Sequence, residues 1–226
     1  MKFSCIPTAL AAAALVIGGA ASAQLAPGYS GFSDAPTTAT EDQYWSFMRE
    51  LGSCLAQSKG AKSIALMQTK IDSAEEKRAF DALIRRKGSN VCMRNMVSAT
   101  VVRAQVRGVV AEGLYKSQPV SAPQAPVPQG LTKPASVRSI HEFADCYVAS
   151  NYSDARSLLV DTQLGTKGEN ERVRRMAPGF SNCLPQGQQI RIVPMDIRLA
   201  LAEALYRASA GLPTVAVTIP GKEAGE

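Results

Sequence analysis

The chain has 226 residues, enough for one large domain or two small ones, with 46% hydrophobic and 19% charged side chains. Its net charge of +6 is modest and comes without a cluster of basic and aromatic residues. That balance argues against a nucleic-acid partner and fits either a mild preference for anionic components or plain solubility.

At the N-terminus Lys2 precedes an apolar run from Ala9 to Ala21, which closes on Ala21, Ser22 and Ala23. One positive charge, a short apolar stretch and a small-x-small exit predict a secretory signal peptide over 1–23, cleaved near Ala23. At about a dozen residues the run is too short for a membrane-spanning helix. No later stretch is long and apolar enough, so the expected mature product is soluble and periplasmic or secreted. Cleavage removes Cys5 and leaves Cys54, Cys92, Cys146 and Cys183, an even number bound for an oxidising compartment. Four cysteines allow three pairings.

Residues 24–41, rich in Gly, Ser, Thr and Pro, predict a disordered leader. A first helical unit is expected over 42–116. Tyr44, Phe47, Met48, Leu51 and Leu55 form the stripe of an amphipathic helix. A short helix follows around Ile64 to Ile71. A third begins at a capping box, Ser73 with Glu76, and carries Phe80, Leu83 and Ile84. Val106, Val110, Gly113 and Leu114 mark the last helix. Residues 117–136 contain Pro119, Pro123, Pro126, Pro128 and Pro134 and predict a semi-rigid linker.

A second unit is expected over 137–210, with Val137, Ile140, Phe143 and Tyr147 on its first helix and a short helix around Ser153 to Val160. Thr166 with Glu169 repeats the capping box, Val173 and Met176 follow, and Ile197, Leu201, Ala204 and Leu205 mark the last helix behind a first-turn Pro194. Residues 211–226 predict a flexible tail, in which Val215 to Ile219 could form a short strand if a partner strand were present.

The two units look like one unit used twice. Cys92 lies 91 residues before Cys183, Tyr115 lies 91 before Tyr206, and Cys54 lies 92 before Cys146. Residues 107–116 and 198–207 are identical at five of ten positions: Arg107, Ala111, Glu112, Leu114 and Tyr115 match Arg198, Ala202, Glu203, Leu205 and Tyr206. A duplicated unit should carry its own staple, so the expected disulfides are Cys54–Cys92 and Cys146–Cys183, each worth about 3–4 kcal/mol in the chain-entropy model. The expected fold is all-α: two tandem homologous four-helix units, each held by one disulfide, joined by the Pro-rich linker. A metal site would need closely spaced ligand pairs such as C-x-x-C, and the sequence has none.

Paired cysteines followed by an Arg-x-x-x-Ala-Glu-x-Leu-Tyr helix resemble small exported proteins of alphaproteobacteria, sphingomonad-type in particular, over roughly 42–116 and 137–208. The resemblance implies export and a helical fold, and no activity.

Chemistry has few candidates. His141 is the one histidine, and its counterpart in the first unit is Arg49, so the unit does not require an imidazole there. No G-x-S-x-G elbow, phosphate loop, dinucleotide fingerprint or haem motif occurs, and no cofactor is expected. The repeated polar motif is Arg107, Glu112 and Tyr115 with Arg198, Glu203 and Tyr206. Glu and Tyr three apart share a helix face, whereas Arg and Glu five apart diverge by about 140° and cannot pair well within one helix. At least one of them should therefore reach another element or a partner molecule. A basic run precedes the second cysteine of each unit: Arg85, Arg86 and Lys87, then Arg172, Arg174 and Arg175. Such runs suit a helix C-terminus and could dock an envelope protein or an anionic polymer.

The function these features favour is a non-catalytic periplasmic or secreted interaction module, two flexibly linked sites raising avidity. The competing readings are a small-molecule binder or enzyme with a site between the units, using Glu112, Glu203 or His141, and a structural envelope protein. The ligand and oligomeric state are not written in the sequence.

Overall fold

A computed structural model describes residues 40–84, 91–93, 101–119, 127, 131, 133–134, 137–184 and 193–214. Among them the chain is all-helical, with seven α-helices. The expected signal peptide, all of the leader except residues 40–41, the run from Arg85 to Lys87 and the strand-like residues 215–219 lie outside the described residues.

The first half folds into α1 (Glu41–Ser58), α2 (Gly60–Met67), α3 (Ala74–Ile84) and α4 (Arg103–Lys116). Helix α1 starts one residue before the expected boundary because Thr40 caps it. The Thr40 hydroxyl accepts from the Gln43 amide, and the Gln43 side chain accepts from the Thr40 amide. Met48, Leu51 and Leu55 are buried as the stripe predicts. Trp45 joins them, while Tyr44 and Phe47 are half-buried at the edge.

The second half contains α5 (Ile140–Asp161), α6 (Lys167–Met176) and α7 (Pro194–Ser209). The two expected leading helices of this half are continuous in α5, but Asn151 breaks its geometry at φ −138°, ψ 44°. Lys59, which separates α1 from α2, has almost the same backbone, φ −130°, ψ 34°. Phe143 and Tyr147 are buried against Phe180, with ring centroids 5.2 and 5.1 Å away. Ile140 is exposed, contrary to its place in the predicted stripe.

Both disulfides have the expected pairing. Cys54–Cys92 ties α1 to a 3-10 turn at Val91–Met93, and Cys146–Cys183 ties α5 to a 3-10 turn at Ala177–Cys183, each just before the last helix of its half.

Helices α4 and α7 pack against each other in the middle of the molecule, with α1 on the outer side of α4 and α5 on the outer side of α7. The buried side chains of both halves form one continuous core. Small residues allow the close approaches. A Cβ on Gly108 would lie 2.5 Å from the Leu199 Cβ, and one on Gly113 would lie 2.7 Å from the Gly52 carbonyl oxygen. From Ile197 to Arg207 every residue of α7 is buried, as is most of α4. The sequence predicts one apolar stripe on each of these helices. They are instead enclosed on nearly all sides, because each lies between two other helices.

Residues 211–214 correct part of the expected flexible tail. Gly211, at φ +64°, ends α7 in a Schellman turn: its amide donates to the Ala208 carbonyl and the Leu212 amide to the Arg207 carbonyl. The Arg207 side chain then donates from Nε to the Pro213 carbonyl, 2.7 Å away. No helix of the described residues is long and apolar enough to cross a membrane.

Candidate functional site

The polar residues of the repeated motif meet at the α4–α7 crossing. Arg107 and Glu112 diverge on α4, as their spacing predicts, and so do Arg198 and Glu203 on α7. Each arginine crosses to the other half. Arg107 donates from Nε and Nη2 to the Glu203 carboxylate at 2.9 and 2.6 Å. Arg198 donates from Nε and Nη2 to the Glu112 carboxylate at 2.9 and 2.7 Å. The result is a reciprocal clasp of two bidentate ion pairs, with both guanidinium groups fully enclosed.

The same arginines also serve their own halves. Arg107 Nη1 donates to the Leu66 carbonyl and the Thr69 hydroxyl, both at 2.9 Å, and Nη2 to the Thr69 carbonyl at 3.1 Å. Arg198 Nη1 donates to the Leu158 carbonyl at 2.9 Å and the Thr162 hydroxyl at 2.7 Å, and Nη2 to the Leu159 and Thr162 carbonyls. These carbonyls lie at the C-terminal ends of α2 and α5, where a helix leaves acceptors without amide partners. Each guanidinium therefore closes one helix end and one contact between halves.

The capping glutamates have a second role that the sequence reading missed. Ser73 and Thr166 accept from the Glu76 and Glu169 amides, as a capping box requires. Their carboxylates, however, accept from the amides of Asp72 and Gly165, one residue before the cap. Both of those residues have left-handed backbone, φ 60° and 76°. From there Glu76 reaches Arg107 at 3.3 Å and Arg103 at 3.1 Å, and Glu169 stands 3.8 Å from Arg198. The matching positions of Thr69 and Thr162, and of Glu76 and Glu169, were the available signal.

The electrostatics of the two carboxylates beside Arg198 differ. Burial pushes Glu112 up, but Arg198 and Lys116 bond to its carboxylate and together hold it below the ordinary range. For Glu169 burial wins, and its carboxyl is raised despite Arg198, with Oε1 lacking a hydrogen-bond partner. His141 lies with Nδ1 3.8 Å from Glu203 Oε2, and burial lowers it, so the neutral imidazole is favoured. Glu203 and His141 are thus neighbours, while Glu112 belongs to the other ion pair. Tyr115 places its hydroxyl 3.1 Å from that of Tyr152 on α5, again across the halves, and burial raises its phenol. Tyr206 is buried, with the same effect.

Of the two basic runs, only the second is described. Arg172 is half-buried beside Asp154 at 3.6 Å and donates to the Ser157 hydroxyl, whereas Arg174 and Arg175 are exposed in the last turn of α6. Among the described residues no group of three or more His, Cys, Asp or Glu side chains could hold a metal ion.

Two grooves flank the clasp at matching places. The first, of 350 Å³, lies along α1 and α4, is lined by Arg49, Ser53, Gln57, Gly113, Lys116 and Ser117, and has Gln163 and Leu164 of the second half in its wall, where Arg49 donates to the Leu164 carbonyl. The second, of 440 Å³, lies along α5 and α7, where Asp145, Ala149, Ala204, Arg207 and Ala208 hold the corresponding positions and residues 211–214 form part of its wall.

Comparison of the chain with protein-family models, curated proteins and solved structures finds no match.

Proposed function

We propose that this chain is an exported, non-catalytic interaction module that acts as one rigid body. The observation that carries this reading is the reciprocal clasp. The carboxylates most suited to acid–base chemistry, Glu112 and Glu203, are engaged with Arg198 and Arg107 in holding α4 to α7, and the two arginines also close helix ends. A buried cluster bonded in this way serves packing, which leaves recognition to the outer surface of the molecule.

Export rests on the signal-like residues 1–23 and on the two disulfides, bonds that persist in oxidising compartments. Duplication of one ancestral unit, over 42–116 and 137–210, belongs to the same proposal. Its support is the shared backbone break at Lys59 and Asn151, the shared left-handed residue at Asp72 and Gly165, and the matched clasp. The likeness to exported alphaproteobacterial proteins agrees with this reading and adds no activity. The partner is an anionic envelope component, protein or polymer, for which Arg174 and Arg175 supply one exposed cationic surface.

Cross-linking of a tagged chain in living cells, beside an inert exported control, tests the reading. One dominant captured partner is the expected outcome. A capture profile identical to the control contradicts it.

A further inference from the structure

The two disulfides hold corresponding places in the two halves, but their surroundings differ. Cys146 and Cys183 are both buried. The turn that carries Cys183 also buries Phe180, whose ring packs edge-on against Phe143 and Tyr147 of α5. Cys54 and Cys92 are only half-buried, and the turn Val91–Met93 contains no buried residue. The first bond is therefore within reach of solvent, and its turn holds no buried side chain that opening the bond would have to expose.

A groove of 440 Å³ along α1 leads to Cys54, with Glu50, Ser53, Gln57 and Ser58 in its lining, all four exposed. The Ser58 hydroxyl donates to the Cys54 carbonyl at 2.6 Å. Its oxygen lies 3.2 Å from Cys92 Sγ and 3.8 Å from Cys54 Sγ. A rotation of the hydroxyl hydrogen thus reaches a thiolate on Cys92 more closely than one on Cys54. Ser150 holds the corresponding place in the second half and donates to the Cys146 carbonyl at 2.9 Å, but beside two buried cysteines. Thiol–disulfide exchange needs access for a thiolate to one sulfur and stabilisation of the other as it leaves. The first half offers both, at different sulfurs.

We propose that Cys54–Cys92 is a thiol–disulfide exchange site, opened at Cys54 by a dithiol of the envelope, while Cys146–Cys183 remains a structural staple. One thiolate of the dithiol attacks Cys54 Sγ. The Cys54–Cys92 bond breaks, and its electron pair leaves on Cys92 Sγ, which accepts from Ser58 and takes a proton from water. The second thiolate of the dithiol then attacks its own sulfur in the mixed disulfide and releases Cys54. Two electrons pass to the chain, the dithiol becomes a disulfide, and the turn Val91–Met93 is untied from α1. This site goes beyond the interaction-module reading and does not depend on its partner.

The test uses the oxidised mature chain, residues 24–226, treated with dithiothreitol or with reduced thioredoxin as a protein dithiol. Iodoacetamide quenches at intervals, and peptide mass spectrometry reads each cysteine. Cys54 and Cys92 should become labelled together, at least about tenfold faster than Cys146 and Cys183. In a second arm, glutathione with iodoacetamide present should leave glutathione on Cys54 and the alkyl group on Cys92. Ser58→Ala should slow opening by about threefold or more, through loss of the donor to the leaving thiolate. Ser150→Ala should change that rate less than about twofold. Both serines are exposed, and thermal unfolding of each oxidised variant confirms that it folds.

Equal rates at the two disulfides would mean that both open only when the whole chain unfolds, and would overturn the proposal, as would earlier opening of Cys146–Cys183. Glutathione found on Cys92, or a rate unchanged in Ser58→Ala, overturns attack at Cys54. Opening by thioredoxin supports a protein dithiol as the natural reductant. Opening by dithiothreitol alone supports the exchange site with a small dithiol in that role.

Discussion

Glu112 and Glu169 approach the same guanidinium, yet their environments give them opposite effects on stability. Glu112 is held below the ordinary carboxylate range, so its contribution to stability is present above the unfolded-state pKa and is lost as pH falls through the folded value. Glu169 is raised by burial, so the fold disfavours its charge. Its contribution is fullest below the unfolded-state pKa and declines as pH rises toward and through the folded one. At pH 7, Glu112→Gln should therefore cost about 3 kcal/mol, because it leaves Arg198 buried without its main counter-charge. Glu169→Gln should be neutral or stabilising, and the variant should lose less stability than the wild type between pH 4 and pH 7. Urea unfolding across that range checks both. A larger loss from Glu169→Gln than from Glu112→Gln would reverse the assignment of roles. The sequence shows that Arg and Glu five apart cannot pair on their own helix. It does not show where they go, because the partner depends on which helices cross and at which residues.

At the scale of helices, the closest contact is between α1 and α4. A Cβ on Gly52 would meet the Val109 carbonyl inside van der Waals distance, and Gly113 faces the Gly52 backbone in return. The corresponding pair in α5 and α7 is Ala144 and Ala204, so that crossing already accommodates methyl groups. Gly52→Ala should cost about 1–3 kcal/mol by forcing the backbones apart, and enlarging Gly113 at the same time should not add fully, since one shift relieves both. Thermal or urea unfolding measures this, and a neutral Gly52→Ala would mean that the helices are not held at this distance. Periodicity and capping made the helices legible, including the serine and threonine halves of both internal caps. The capping box at Thr40 escaped notice because the leader's composition resembles loop up to the cap. The glutamate halves were misread because the left-handed turn at Asp72 and Gly165 offers its amide one residue earlier, a tertiary detail that the S-x-x-E pattern does not encode.

For the molecule as a whole, the sequence predicts two tandem units joined by a Pro-rich linker, and among the described residues the packing of α4 on α7 joins the two halves in a single core. The signals were present but ambiguous. Both helices carry a strongly conserved-looking apolar pattern between the two halves, yet a buried stripe cannot say whether its other side faces solvent or a second helix. The near absence of charge from Ile197 to Tyr206, apart from Arg198 and Glu203, was the available hint that α7 is enclosed. Joining the halves through buried ion pairs makes their alignment specific, since an unmatched arginine or glutamate at this crossing would be left charged in the core.

The central claim is that the repeated Arg and Glu residues act between halves and not within a helix. A double-mutant cycle measured by urea unfolding of the oxidised chain tests it directly, using alanine at Arg107, Glu203 and Glu112. The account predicts a coupling of about 2–3 kcal/mol between Arg107 and Glu203, and less than about 0.5 kcal/mol between Arg107 and Glu112 on its own helix. Strong coupling within α4, or none across the halves, would contradict the clasp.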